Sequence, residues 1–234
     1  MSFAVTVGIC LTVFIFLSLL YVLPMFFMHP LESGRIDETD IIAIKNRSNN
    51  LFFISMDKDW IVIDAGSDAK AVKREMKKIG IDRNKVKSVF LTHTDYDHVA
   101  SITLFPNAVI YMSKQEEQMI DGSTNRQFVK KNRLPKLKES NKVTYLSDNE
   151  MIDLYKHKMR IIWASGHTKG SAIYALDEKN LFTGDAFKIA DRSIAIHPYT
   201  MDRKAAQETI RRIKDELKNY EIVFTAHYGL MKTT

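Results

Sequence analysis

The sequence predicts an α/β domain in which two sheets pack face to face with helices outside, preceded by one apolar helix. Three observations carry this expectation. Short β-rich runs recur from residue 40 onward, amphipathic stretches separate some of them, and residues 1–31 contain no Asp, Glu, Lys or Arg. At 234 residues, 45% apolar and 26% charged, the chain is long enough for one large domain with a sizeable core. The net charge of +6 comes without an arginine-rich block or a nucleic-acid motif. No nucleic-acid partner is expected, and a small anionic molecule is the partner class the charge favours. The single cysteine, Cys10, excludes a disulfide framework and a cysteine-ligated metal site. Any metal must be held by nitrogen and oxygen.

The run over residues 3–28, "FAVTVGICLTVFIFLSLLYVLPMFFM", exceeds the roughly 20 apolar residues that cross a bilayer. A cleaved signal peptide is the rival reading, but no basic residue precedes the run and no A-x-A site follows it. Residues 1–35 are therefore expected to form a transmembrane anchor and linker, kinked or ended at Pro24. They would tether a catalytic domain over residues 36–234 to the membrane, on its external side. In that domain "IIAIKNR", "NLFFISM" and "WIVIDAG" predict consecutive antiparallel strands. "DAKAVKREMKKIG" places Ala71, Val72, Met76 and Ile79 at helical spacing and ends in a glycine stop, Gly80. "KVKSVFLTH" reads as a buried strand, followed by strands at "AVIYMS", "KVTYL", "MRIIWASG", "SAIYALD", "NLFTGD" and "EIVFTAH". A helix in "MDRKAAQETIRRIKDELKN" separates the last two strands.

Polar residues that can bind metal recur where these strands end. His93, Asp95, Asp97 and His98 follow one strand, His167 follows a second, Asp185 a third, and His227 closes a fourth. Strand ends are rigid platforms for such groups. A lone histidine is more often structural than a ligand, and that reading is given to His29, His157 and, from its residue type alone, His197.

"THTDYDH", "GHTKGS", "TGDA" and "TAHYG", in that order, resemble the signature segments of the metallo-β-lactamase superfamily, and "IVIDAG" resembles its early Asp-x-Gly strand. The likeness spans residues 40–229. It implies an αββα sandwich with a binuclear metal centre at the edge of the two sheets. By the same resemblance His93, residue 95 and His167 fall on a first metal, Asp97, His98 and His227 on a second, and Asp185 on the bridging carboxylate. The implied cofactors are two divalent ions, zinc first, with iron or manganese as alternatives. The implied reaction is hydrolysis by water activated between them, with Asp97 orienting that water or moving its proton.

The family pattern is H-x-H-x-D-H, and this chain has Asp95 in place of its second histidine. A carboxylate also binds zinc, manganese or iron, and it makes the first site harder and more negative. Superfamily members similar to flavodiiron reductases carry glutamate there and hold iron. Asp95 is thus read as a ligand, as a residue that orients a ligand, or as the mark of an empty first site. Tyr96 is expected to pack or orient. Thr168, Gly170 and Ser171 are read as loop structure, the glycine for a tight turn. His197 and Tyr199 could reach a substrate oxygen or be ordinary loop packing. The basic residues over 114–138 suggest a solvated helical insertion, or a lid facing an anionic substrate or lipid. A hydrolase of small esters, thioesters or lactones leads. A phosphodiesterase acting on lipid or nucleotide, a diiron redox protein and a non-catalytic metal-binding domain are the alternatives. Asp185, where a class B β-lactamase would carry cysteine, argues against that activity, and glyoxalase II is more similar in this respect.

Overall fold

Strand residues of this chain bury both of their faces, and that dictates layers. In the computed structural model, which describes residues 3–126 and 131–233, Ile41, Ala43 and Phe52 face one apolar cluster while Ile42, Ile44 and Phe53 face another. A sheet apolar on both sides must be covered on both sides. The first sheet runs in the order β1 (Gly34–Arg35), β2 (Ile41–Asn46), β3 (Asn49–Met56), β4 (Asp59–Ile63), β5 (Val86–Leu91), β6 (Val109–Ser113), β7 (Val143–Leu146). It is antiparallel from β1 to β4, as expected for consecutive hairpins, and parallel from β4 to β7.

The second sheet comprises β8 (Met151–Leu154), β9 (His157–Trp163), β10 (Ala172–Leu176), β11 (Asn180–Phe182), β14 (Ile222–Phe224) and β15 (Leu230–Lys232). β12 (Phe187–Ala190) and β13 (Ser193–Ile196) form a separate hairpin. Between the sheets lie Phe52, Ile54, Ile61 and Phe90 from one side, and Ile161, Tyr174, Phe182 and Phe224 from the other. This is the expected αββα sandwich.

Helices cover the outer faces. The helices are α1 (Phe3–Val22), α2 (Ala69–Ile79), α3 (Tyr96–Val99), α4 (Glu117–Asp121) and α5 (Arg203–Lys214); α2 and α5 are the long covers, and the short α3 and α4 add Val99 and Ile120 to the cluster on the first sheet. α2 buries Val72 and Met76 against the first sheet, and α5 buries Ile213 against the second. Asp68 caps α2 by accepting from the amides of Lys70 and Ala71, which would otherwise lack an intrahelical partner. Gly80 closes it in the left-handed region, at φ 81°.

The structure corrects two expectations outside this sandwich. The first concerns the apolar run: α1 ends at Val22, and Pro24, which has no amide hydrogen to donate, stands in a 3₁₀ turn over Leu23–Phe27, where the sequence places a kink or an end. Among the described residues no helix is long and apolar enough to cross a membrane. The transmembrane anchor and the membrane localisation with an external domain are overturned by that finding. The segment read as linker is also tied down. The His29 amide donates to the His227 carbonyl at 2.8 Å, and Asn50 brackets Leu31 by accepting from its amide at 2.7 Å and donating to its carbonyl at 2.9 Å. The second correction concerns the basic stretch. Among the described residues it is helical only across Lys114–Glu116 and Glu117–Asp121, and its residues 131–138 carry no regular structure. Lys130, one of its cations, lies outside the described residues.

Candidate metal centre

Four strand ends converge at one edge of the sandwich. β5 delivers the segment carrying His93, Asp95, Asp97 and His98, the loop after β9 delivers His167, and the turns after β11 and β14 deliver Asp185 and His227. Main-chain hydrogen bonds lock these segments together: Ala172 N to Thr92 O at 2.8 Å, Ala65 N to His98 O at 2.7 Å, and Ala226 N to Gly184 O at 3.1 Å. Close approach dictates two glycines. A Cβ on Gly184 would stand 2.3 Å from Thr92 Oγ1, and one on Gly170 would stand 2.1 Å from the Glu116 amide nitrogen. Gly170 therefore answers to backbone contact rather than to a tight turn.

The expected residues fall into two sets around one carboxylate. In the first, Asp95 Oδ2 lies 3.3 Å from His93 Nε2 and 3.1 Å from His167 Nε2. In the second, Asp97 Oδ2 lies 3.3 Å from His227 Nε2 and 3.7 Å from His98 Nε2. Asp185 Oδ2 stands between them, 3.4 Å from His167 Nε2, 3.6 Å from His98 Nε2 and 3.3 Å from His227 Nε2. Each set of three can offer one ligand atom apiece within 4.8 Å of the others. His93 Nε2, His98 Nε2 and Asp185 Oδ1 are buried and lack a hydrogen-bond partner among the described residues. Buried polar atoms are rarely left so, and imidazole nitrogens facing carboxylates are the donor set that zinc, manganese or iron takes. The residues present fit a metal centre.

Outer partners orient the rings. Asp64 Oδ2 accepts from His98 Nδ1 at 2.8 Å while its carboxylate also receives the Thr92 amide and hydroxyl, leaving His98 Nε2 to face the centre. His227 Nδ1 is fixed by the Ser48 carbonyl at 2.7 Å. Glu116, buried under the first set, accepts from the Thr94 amide and hydroxyl and from the Thr168 hydroxyl. Burial pushes its carboxyl up, against the pull of His93 and these hydrogen bonds. Thr168 and Ser171 serve loop structure as expected, the Thr168 amide donating to Ser171 Oγ at 2.9 Å.

The remaining expectations divide. Tyr199 lines a cavity of about 310 Å³ that opens onto the centre, together with Met25, Met28, Asp97 and Arg126. His197 is buried, with Nε2 3.7 Å from Asp185 Oδ2, and forms a further metal-capable group with His167 and Asp185. His157 is structural: its two ring nitrogens meet Asp177 Oδ2 at 2.6 Å and the Ser55 carbonyl at 3.0 Å. His29 is exposed. Tyr96, expected to pack or orient, is 74% exposed. Arg126 was read only as one cation of the basic stretch, and Asn132 and Glu116 had no role in the sequence reading. Glu116 follows β6 within an acidic and basic run and is 22 residues from its partner Thr94, so nothing local marked it. Asp64 had one, the Asp-x-Gly strand end.

Charge separates the imidazoles. Burial alone would lower His98 and His227, but Asp64, Asp97 and Asp185 hold His98 well above its ordinary value, and Asp185 and Asp97 hold His227 at about 10. Burial wins at His167, lowered to about 4 despite Asp185 and Asp95. Asp97 is held at about 2, where His98 and His227 outweigh its burial. A metal entering the second set must displace protons from His98 and His227, so raising the pH toward 10 removes its competitor. Apparent affinity should therefore rise with pH, by up to about tenfold per unit for each proton released. Calorimetric titration in buffers of different ionisation enthalpy counts those protons, and a heat independent of buffer would contradict this account.

A sequence profile of the metallo-beta-lactamase superfamily matches residues 45–227. A probable polyketide biosynthesis zinc-dependent hydrolase of Bacillus subtilis is 28% identical over 173 residues, 71% of this chain and 66% of that protein. A probable metallo-hydrolase of Methanocaldococcus jannaschii is 25% identical over 73% of this chain and 72% of its own. A hydroxyacylglutathione hydrolase of Glaesserella parasuis is 24% identical over 80% and 69%. The chain thus spans slightly under two thirds of the Bacillus relative and somewhat more of the other two. Among solved structures, a B3 metallo-β-lactamase with an active-site glutamic acid superposes with TM-score 0.67 at 17% identity, covering 88% of this chain and 84% of that one. A subclass B3 enzyme of Bradyrhizobium japonicum gives 0.65 at 16%, covering 86% and 79%. At such identities the likeness is one of fold. The sequence profile, in contrast, runs through every strand-end segment that meets at Asp185, and the chain belongs to the metallo-β-lactamase superfamily.

Proposed function

We propose that this domain is a binuclear, zinc-dependent hydrolase of small esters, thioesters or lactones. The observation that supports it most is the sharing of Asp185 between two complete donor sets, with Oδ2 at 3.3–3.6 Å from ligand nitrogens of both. His93, Asp95, His167 and Asp185 would hold one ion, and Asp97, His98, His227 and Asp185 the other. Bound there, the ions would supply a Lewis acid for the scissile carbonyl and a water acidic enough to attack at neutral pH. Asp97 carries the chain's own share of proton handling. It is the ligand with a 37% exposed side chain facing the cavity, and it stays ionised because His98 and His227 hold it low. Tyr199 positions the substrate at the cavity mouth, and Met25 and Met28 give an apolar wall suited to an acyl or lactone ring carbon chain. The zinc-dependent hydrolase and hydroxyacylglutathione hydrolase among the relatives agree with that class. The diiron redox reading has only Asp95 in its favour, and the phosphodiesterase reading only the basic stretch.

The test is a panel of thioester, lactone and bis-nitrophenyl phosphate substrates on the full chain loaded with two equivalents of zinc. Carbonyl substrates should turn over faster than the phosphodiester. An Asp97→Asn variant should lose most of that rate while keeping at least one ion. Faster phosphodiester cleavage, or a diiron preparation with reversible redox chemistry, would replace this reading.

A further inference from the structure

Arg126 is the one cation of the basic stretch that the structure describes inside the centre. Its side chain is 19% exposed. Nε donates to Asp95 Oδ1 at 2.9 Å, Nη2 pairs with Asp95 Oδ2, and the same Nη2 donates to His167 Nε2 at 2.6 Å. Nη1 donates to the Tyr199 carbonyl at 2.7 Å, and Asn132 Nδ2 shares Asp95 Oδ1 at 3.0 Å. One guanidinium therefore engages two of the three donor atoms of the first set, through the bidentate carboxylate geometry that makes the strongest such pairs. The second set differs. Among the described residues, no Lys or Arg forms an ion pair with Asp97 or Asp185.

We infer that Arg126 is a built-in competitor for the first metal position, so that the set of His93, Asp95 and His167 fills second and more weakly than the set of Asp97, His98 and His227. A divalent cation and a guanidinium cannot share Asp95 Oδ2 and His167 Nε2. The ion must break those contacts and then sit beside a like charge in a poorly solvated site. No guanidinium opposes the second position, where the ion displaces only the protons of His98 and His227, which leave as the pH rises whereas the arginine keeps its charge. The chain is thereby mononuclear when metal is scarce and binuclear only in excess, and Asp95, which replaces the family histidine, is what gives the arginine a counter-ion to hold.

This rests on the donor sets of the proposed function, and its test reads metal binding rather than turnover. The full chain, stripped by chelator, is titrated with zinc against a chromophoric competitor and with cobalt for its visible spectrum. Two constants separated by about tenfold or more are expected. Arg126→Gln and Arg126→Met should each tighten the weaker one by about tenfold or more and leave the tighter one within about twofold, which also shows that the variants fold. His227→Ala should remove the tighter constant. Equal constants in the unmodified chain, a weaker constant unmoved or loosened in both Arg126 variants, or loss of the weaker constant in His227→Ala would each overturn the inference. A chain that binds no metal would remove the proposed function as well, whereas two equal sites with ester turnover would remove the inference alone.

Discussion

Asp185→Asn should leave the protein with at most one tightly held ion and reduce kcat/KM by well over the roughly 100-fold that loss of an orienting partner brings. The asparagine fills the same space but offers one neutral oxygen in place of a carboxylate whose Oδ2 faces His227, His167, His98 and His197 at 3.3, 3.4, 3.6 and 3.7 Å. Both donor sets lose their common member, and the activated water of the proposed mechanism loses the geometry that depends on two ions. Elemental analysis after gel filtration and a rate measurement on the best carbonyl substrate check this. Two retained ions with near-normal turnover would remove Asp185 from the centre.

Asp64→Asn should weaken the second position by about 10- to 100-fold although it touches no metal. The mechanism is a tautomer change. Asp64 Oδ2 accepts from His98 Nδ1 at 2.8 Å, which keeps the proton on Nδ1 and leaves Nε2 free to ligate. Oδ1, which receives the Thr92 amide at 2.8 Å, keeps that role in the variant, so the new amide NH₂ faces His98. An NH₂ can only donate, so the imidazole must present Nδ1 as acceptor and carry its proton on Nε2, the ligand atom. Metal competition assays on Asp64→Asn and on His157→Ala separate this from a general loss of stability. His157 is spent on Asp177 and Ser55, so its removal should leave metal content intact. Equal losses in the two variants would mean that folding, not ligation, is being read.

What the sequence conveyed about the fold depended on whether a feature was local. α2 was legible because its apolar spacing and Gly80 lie within one stretch, and most strands of the two sheets because their apolar runs are continuous, whereas β1, β8 and β15 are too short to carry such a run and were not read. The β12–β13 hairpin was not, because its turn uses Asp191 and Arg192 at φ 47° and 60° where Asn-Gly would have signalled it. The apolar run at the start misled for a related reason. Its composition is that of a span, but Pro24 divides it and the residues after the 3₁₀ turn bind to the domain at Asn50 and His227. In the site, the metal-ligating residue types sat at strand ends and stood out. Arg126 did not, because a cation turned inward looks in sequence like its solvated neighbours, and only Asp95, 31 residues away, explains it.

The two donor sets join segments that are far apart along the chain: His93 follows a strand of the first sheet, and His167 and His227 follow strands of the second. Neither set can be complete until the sheets have docked, so a metal ion finds its full complement of ligands only in the finished domain. In kinetic terms such an ion acts as a late latch. It adds stability by mass action to the native state alone, and interactions absent from the transition state slow unfolding far more than they hasten folding. The centre therefore fastens the sandwich at the same edge where it would do its chemistry, and how long the domain resists opening depends on metal supply.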